Sequence, residues 1–221
     1  MPKFPFAVAV LLAPFLLSPA AHQSPVALAR PWLPAEQTWE KLFDGKTLKN
    51  WELTNFGGQG NVTVENDAIV LEFGNDLTGI TWTGEVPRIN YEVQLEAMRV
   101  EGSDFFCGLT FPVNESHCSL IVGGWGGTVV GLSSIDGQDA SENTTSQVMS
   151  FDRKRWYRIR IQVHRAKIEA WIDDKKVVSQ EIEGRKVSIR PEVDLSRPFG
   201  IASWRTRAAL RAIQIRSLVQ F

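Results

Sequence analysis

Almost everything after residue 38 follows a pattern of period two. Apolar and polar side chains alternate in short runs, and turn residues separate the runs. Successive side chains of a strand point to opposite faces, so this pattern predicts half-buried strands. The predicted strands cover 61–65, 68–73, 79–83, 91–100, 105–111, 117–122, 129–133, 147–151, 156–164, 167–173, 176–182, 199–204 and 210–218. Many short alternating strands without a helical period indicate an antiparallel sandwich or barrel.

One hairpin fixes its own register. Tyr157, Ile159, Ile161 and Val163 alternate with Trp156, Arg158, Arg160, Gln162 and His164. After a turn near Arg165-Ala166, Ile168, Ala170 and Ile172 alternate with Lys167, Glu169, Trp171 and Asp173. If Val163 faces Ile168, one side of the hairpin is wholly apolar, Arg158 stands opposite Asp173, and Arg160 stands opposite Trp171. A slip by one residue would expose every apolar side chain, so this register is strongly determined.

The chain has 221 residues and a formal net charge of −1. That balance offers no electrostatic footprint for nucleic acid. Residues 1–29 read as a signal peptide and leader, with Lys3 ahead of the apolar segment Phe4–Leu17. The segment is interrupted by Pro5 and Pro14 and is shorter than the roughly 20 residues of a membrane span. The expectation is an exported protein, periplasmic or extracellular, with no membrane association after signal removal. Residues 30–38 read as a flexible segment and 39–221 as a single domain. Cys107 and Cys118, the two cysteines, flank a turn at 112–115 and are expected on neighbouring strands. Export suggests that they form a disulfide, and two buried free thiols are the alternative.

Three segments carry candidate chemistry. In Gly123-Gly124-Trp125-Gly126-Gly127, four glycines surround one Trp, either as a tight bend with a buried ring or as a platform that stacks on sugar. The stretch 133–143 holds Asp136, Asp139 and Glu142. It reads as a solvated loop, as a sugar-site loop, or as oxygen ligands for Ca²⁺, with no other cofactor expected. His117 shares a strand face with Ser119 and is the best general-base candidate by its near-neutral pKa. No nucleophile elbow, zinc-protease motif or phosphate loop is present. Of the eight Trp residues, five or six are expected to be structural.

The stretch Leu42-Phe43-Asp44-Gly45-Lys46-Thr47-Leu48-Lys49-Asn50-Trp51 resembles the opening of the DUF1080, or 3-keto-disaccharide hydrolase, domain family. The 156–177 hairpin and the endings 198–204 and 212–218 are similar to segments of concanavalin-like jelly rolls, the fold of that family. In the middle, 102–111 keeps only Gly102, Ser103 and Gly108 of the family pattern. The resemblance implies an all-β, antiparallel β-sandwich of the jelly-roll type, a bacterial origin and a carbohydrate partner. It also implies hydrolase or lyase action on 3-keto-glycosides, with a non-catalytic lectin-like module or a structural surface domain as the alternative. Cleavage through the acidified C2 hydrogen needs a base, an acid near the leaving oxygen and a donor for the enolate. By residue type, His117, Asp104 and Glu142 are the expected catalytic groups. Trp125, Asp136, Asp139, Trp204 and Arg205 are the expected substrate contacts. The sugar and the oligomeric state are left open.

Overall fold

The computed structural model describes residues 1–2 and 38–218, so the leader and nearly all of the flexible segment expected from the sequence lie outside the described residues. Fifteen strands are found among the described residues. They are β1 (Glu40–Lys41), β2 (Trp51–Leu53), β3 (Val62–Glu65), β4 (Ala68–Leu71), β5 (Leu77–Trp82), β6 (Tyr91–Gly102), β7 (Cys107–Val113), β8 (Ser116–Gly124), β9 (Val129–Ser133), β10 (Gln147–Val148), β11 (Trp156–Val163), β12 (Lys167–Ile172), β13 (Lys175–Glu181), β14 (Gly200–Trp204) and β15 (Thr206–Ser217). One 3₁₀ turn, Pro191–Ser196, precedes β14. The strands form two antiparallel sheets. The first runs β13-β12-β11-β6-β15-β4-β3, with β1 also on β15, and the second runs β10-β9-β8-β7-β14-β5-β2. The protein is therefore an antiparallel β-sandwich.

Alternation decides what lies between the sheets. Val93, Leu95, Ala97, Ile159, Ile161, Ile168 and Ala170 of the first sheet are fully buried against Leu109, Phe111, Leu120, Val122 and Leu132 of the second. Ile159 pairs with Ile172, Ile161 with Ala170 and Val163 with Ile168, the register that the apolar pattern requires. The parity of β15 changes midway. Ala208 and Leu210 face inward, then Ile213 and Ile215 do, because a bulge at Ala212 inserts residues between the two pairs.

The opening motif is a structural staple. Asp44 accepts the backbone N–H of Lys46 and of Thr47, both at 2.7 Å, and these bonds hold its carboxyl near a pKa of about 2. Gly45 takes a φ of 82°, which glycine adopts without strain. Trp51 then returns to donate its indole N–H to the Leu42 carbonyl at 2.8 Å and packs edge-on to Trp82.

The cysteines follow the second of their two readings, buried free thiols. They do lie on neighbouring strands, but Cys107 pairs with Val122 while Cys118 pairs with Phe111. Four residues of stagger at about 3.3 Å each separate them by roughly 13 Å along the strands. A disulfide needs Cα atoms within about 7 Å, so both remain free thiols. Burial pushes each thiol's pKa up to about 12.

Candidate functional site

Small and polar residues open a cleft on the outer face of the second sheet. Ser119 and Ile121 of β8, Ser133 of β9, Leu77 of β5 and Trp204 of β14 form its floor and one wall. The β6–β7 connection adds Asp104 and Phe105, the β8–β9 loop adds Trp125, and the segment before β14 adds Arg190, Glu192 and Val193. The cavity is about 250 Å³. It has a mostly apolar lining with a few polar groups, as small-molecule sites generally have.

Residues 186–198 form a strap that closes the opposite side. Ser134 and Ser188 exchange backbone hydrogen bonds at 2.6 and 3.0 Å, and the Thr81 hydroxyl donates to the Leu195 carbonyl. Val193 of the 3₁₀ turn packs with Leu77 and Ala202. The strap presents Arg190, which donates to both oxygens of Glu192 and, at 2.5 Å, to Asp139. The Arg190 guanidinium draws the Glu192 carboxyl below its ordinary value. A second, more polar groove shares Arg190 and Glu192 with the cleft and is further lined by Ser134, Gly137, Asp139, Glu142 and Ser188.

The glycine-flanked Trp is a displayed ring. Trp125 is 41 % exposed, and its own φ is 48°, in the left-handed region. Gly123, Gly126 and Gly127 around it also have positive φ. Asp104 braces this loop: one carboxylate oxygen accepts the N–H of Gly126 at 3.1 Å and the other that of Phe105 at 2.8 Å.

The structure distributes the sequence candidates over several places. Asp104, Trp125 and Trp204 line the cleft together. Glu142 and Asp139 line the adjoining groove instead. His117 lines neither; its Nε2 is buried without a hydrogen-bond partner near Arg88 and Arg197. Desolvation, reinforced by those two cations, lowers its pKa. The expected catalytic set of His117, Asp104 and Glu142 is thus not assembled around one cavity. Asp136 is committed to Arg185 and the Lys186 N–H, which lower its pKa. Arg205 pairs with Asp76 and stands over Trp204 at 5.6 Å, on the rim rather than in the lining. Asp136 and Asp139 are each held by an arginine, and no group of three metal-binding side chains is found among the described residues. The alternation pattern missed Phe105, Arg190, Glu192 and Val193. Their segments converge only in the folded chain, and the 3₁₀ turn has no period to read.

The family model described as the 3-keto-alpha-glucoside-1,2-lyase-like domain matches residues 38–216. The chain belongs to this family. It is a carbohydrate-related family, and its solved neighbours share the fold. A protein named as a candidate glycosyl hydrolase from Parabacteroides distasonis ATCC 8503 is similar over 82 % of this chain and 94 % of its own, at 13 % identity and a TM-score of 0.52. The carbohydrate-binding module CBM66 from Bacillus subtilis is similar over 76 % of this chain and 96 % of its own, at 13 % identity and a TM-score of 0.50. The Crh5 transglycosylase is similar over 84 % and 85 %, at 12 % identity and a TM-score of 0.57. No curated protein matches the chain in sequence.

Proposed function

We propose that the cleft on the second sheet binds a neutral carbohydrate. The observation that carries this reading is the exposed ring of Trp125 at a cavity also lined by Phe105 and Trp204, with no cation stacked on Trp125 among the described residues. The apolar face of a pyranose ring stacks on such a surface, and its hydroxyls bond to Arg190 and Glu192 at the wall. The test is calorimetric titration with methyl α-glucoside, trehalose, maltotriose and their 3-keto counterparts. The parent protein binds at least one of them, and Trp125→Ala weakens that binding about tenfold. A parent protein that binds none of the panel, or a Trp125→Ala variant with unchanged affinity, overturns the reading.

Family membership supports a second reading, cleavage of 3-keto-α-glucosides. In that chemistry a base removes the C2 proton, the C1–oxygen bond to the aglycone breaks, and water then adds across the C1=C2 bond. Both cleft carboxylates are engaged, Asp104 by two backbone N–H groups and Glu192 by the Arg190 guanidinium; because a side chain can swing away where a backbone N–H cannot, Glu192 is the base in this reading once Arg190 turns from it to the enolate oxygen. Release of p-nitrophenol from a 3-keto-α-glucoside tests it. Glu192→Gln abolishes turnover while preserving binding if this reading holds. A parent protein that binds the compound without releasing the phenol is a lectin-like module. His117→Gln and Glu142→Gln in the same assay show whether groups outside the cleft take part.

A further inference from the structure

Arg99, on β6, is the least expected charged group in the molecule. It is 6 % exposed and makes no ion pair among those of the described residues. Its guanidinium donates to two carbonyls, Gly127 at 2.8 Å and Gly123 at 3.2 Å, and lies over the rings of Phe106 and Phe151 at 5.2 and 5.9 Å. Its Nε is buried without a partner. Burial of an arginine whose hydrogen bonds go to neutral carbonyls is costly; desolvation lowers its pKa, and the nearby Asp104 carboxylate offsets this only in part.

The two carbonyls bracket Trp125. They belong to the residues where the chain leaves β8 and where the loop ends, so one planar group ties both ends of the platform to the body of the first sheet. The glycines fit that contact. A Cβ at Gly123 would sit 2.5 Å from the Arg99 guanidinium, and one at Gly127 would sit 2.8 Å from the Ser103 carbonyl. Both bonds come from one nitrogen, Nη2, whose two N–H groups are held in the guanidinium plane and so fix the direction of each carbonyl.

We propose that Arg99 is a positioning residue that holds Trp125 in its sugar-stacking pose without touching the sugar, a reading that rests on Trp125 being the binding platform. Arg99→Met keeps an unbranched stem against Phe106 and Phe151 and removes the donors, so it separates the clamp from the packing. The first measurement needs no ligand: hydrogen–deuterium exchange of the full chain. Arg99→Met raises exchange of the 124–128 amides at least tenfold while β6 and β11 keep their protection; unchanged exchange in the loop overturns the proposal. The second uses the tightest-binding α-glucoside of the panel above. Arg99→Met loses affinity severalfold, and the Arg99→Met/Trp125→Ala double variant binds no worse than Trp125→Ala alone, because both changes act through one ring. Fully additive losses overturn the proposal and leave the platform reading standing. A Trp125→Ala variant with full affinity overturns the platform instead. Arg99→Lys, which keeps the charge and can reach one carbonyl, carries the same exchange test with a smaller increase if the Met variant does not fold.

Discussion

Both outer faces of this sandwich carry tryptophan, and they treat it in opposite ways. On the first sheet the rings are covered. Arg160 stands over Trp171 at 3.9 Å, Arg211 over Trp156 at 4.1 Å and Arg216 over Trp39 at 4.4 Å. Carboxylates tie the cations together: Glu92 binds both Arg160 and Arg216, and Glu96 binds Arg211. The result is a ladder across β15, β6, β11 and β12, in which each of the three rings has an arginine over it and each of those arginines a carboxylate. On the second sheet Trp204 has only Arg205, at a looser 5.6 Å, and Trp125 stands at the cleft mouth with no cation over it among the described residues. An exposed tryptophan in a jelly roll is therefore no evidence of a sugar site by itself; the ring face must also be unclaimed.

The largest effect that would sharpen this contrast is at Glu92, whose side chain is 1 % exposed between two arginines. Glu92→Gln leaves two guanidiniums facing each other without a counter-charge. Breaking a buried pair in this way costs about 3 kcal/mol. Chemical denaturation reads the loss, and saccharide affinity stays unchanged. A loss below about 1 kcal/mol would mean that the ladder is decorative.

Next in size is a crossed pair of variants. Trp125→Ala costs about 1.4 kcal/mol of binding, the equivalent of tenfold, and little stability. Trp171→Ala costs about 1–2 kcal/mol of stability, combining lost burial with the lost cation–π contact, and no binding. Titration and thermal denaturation of both variants decide it. If each variant moved both quantities, the two faces would not be functionally distinct.

A smaller effect follows from charge. The cleft and its adjoining groove are lined by four carboxylates, Asp104, Asp139, Glu142 and Glu192, and one cation, Arg190. On the first sheet the charges cancel locally. Methyl α-glucuronide therefore binds severalfold more weakly than methyl α-glucoside, and the gap narrows as salt screens the cleft. Equal affinity at low salt would place the sugar away from these acids.

The first face was far more legible in the sequence than the second. The pairing of Arg160 with Trp171 follows from alternation alone, because a two-residue period and one turn fix which side chains meet. Of the eight tryptophans, Trp51 and Trp82 are buried and Trp39, Trp156 and Trp171 are capped, which matches the expected structural majority. The cleft depends on the approach of the β6–β7 connection, the β8–β9 loop and the strap, and none of these has a period. Trp125 was readable because four glycines mark a special backbone. Glu192 and Arg190 were not, since a charged residue beside a proline looks like any surface turn. Arg99 was hidden for the opposite reason: it occupies an inward position of a strand, where the pattern calls for an apolar side chain.

His117 offers the smallest test and the one that probes the border of the cleft. It lies on β8, two residues before Ser119 of the cleft floor, yet outside the lining. Its pKa is lowered, by desolvation first and by Arg88 and Arg197 second. In the unfolded chain it returns to about 6.5. Between the two values the unfolded state binds more protons than the folded one, so stability rises with pH in that window. The contribution is therefore intact above pH about 6.5 and is lost as pH falls below it, levelling off once the folded-state histidine also protonates. His117→Gln flattens this part of the acid limb, read as melting temperature against pH from about 7.5 downward, and leaves the α-glucoside titration unchanged at pH 7.5. An unaltered acid limb would show that His117 is solvated. A large loss of binding would extend the functional surface past Ser119 and return His117 to the site.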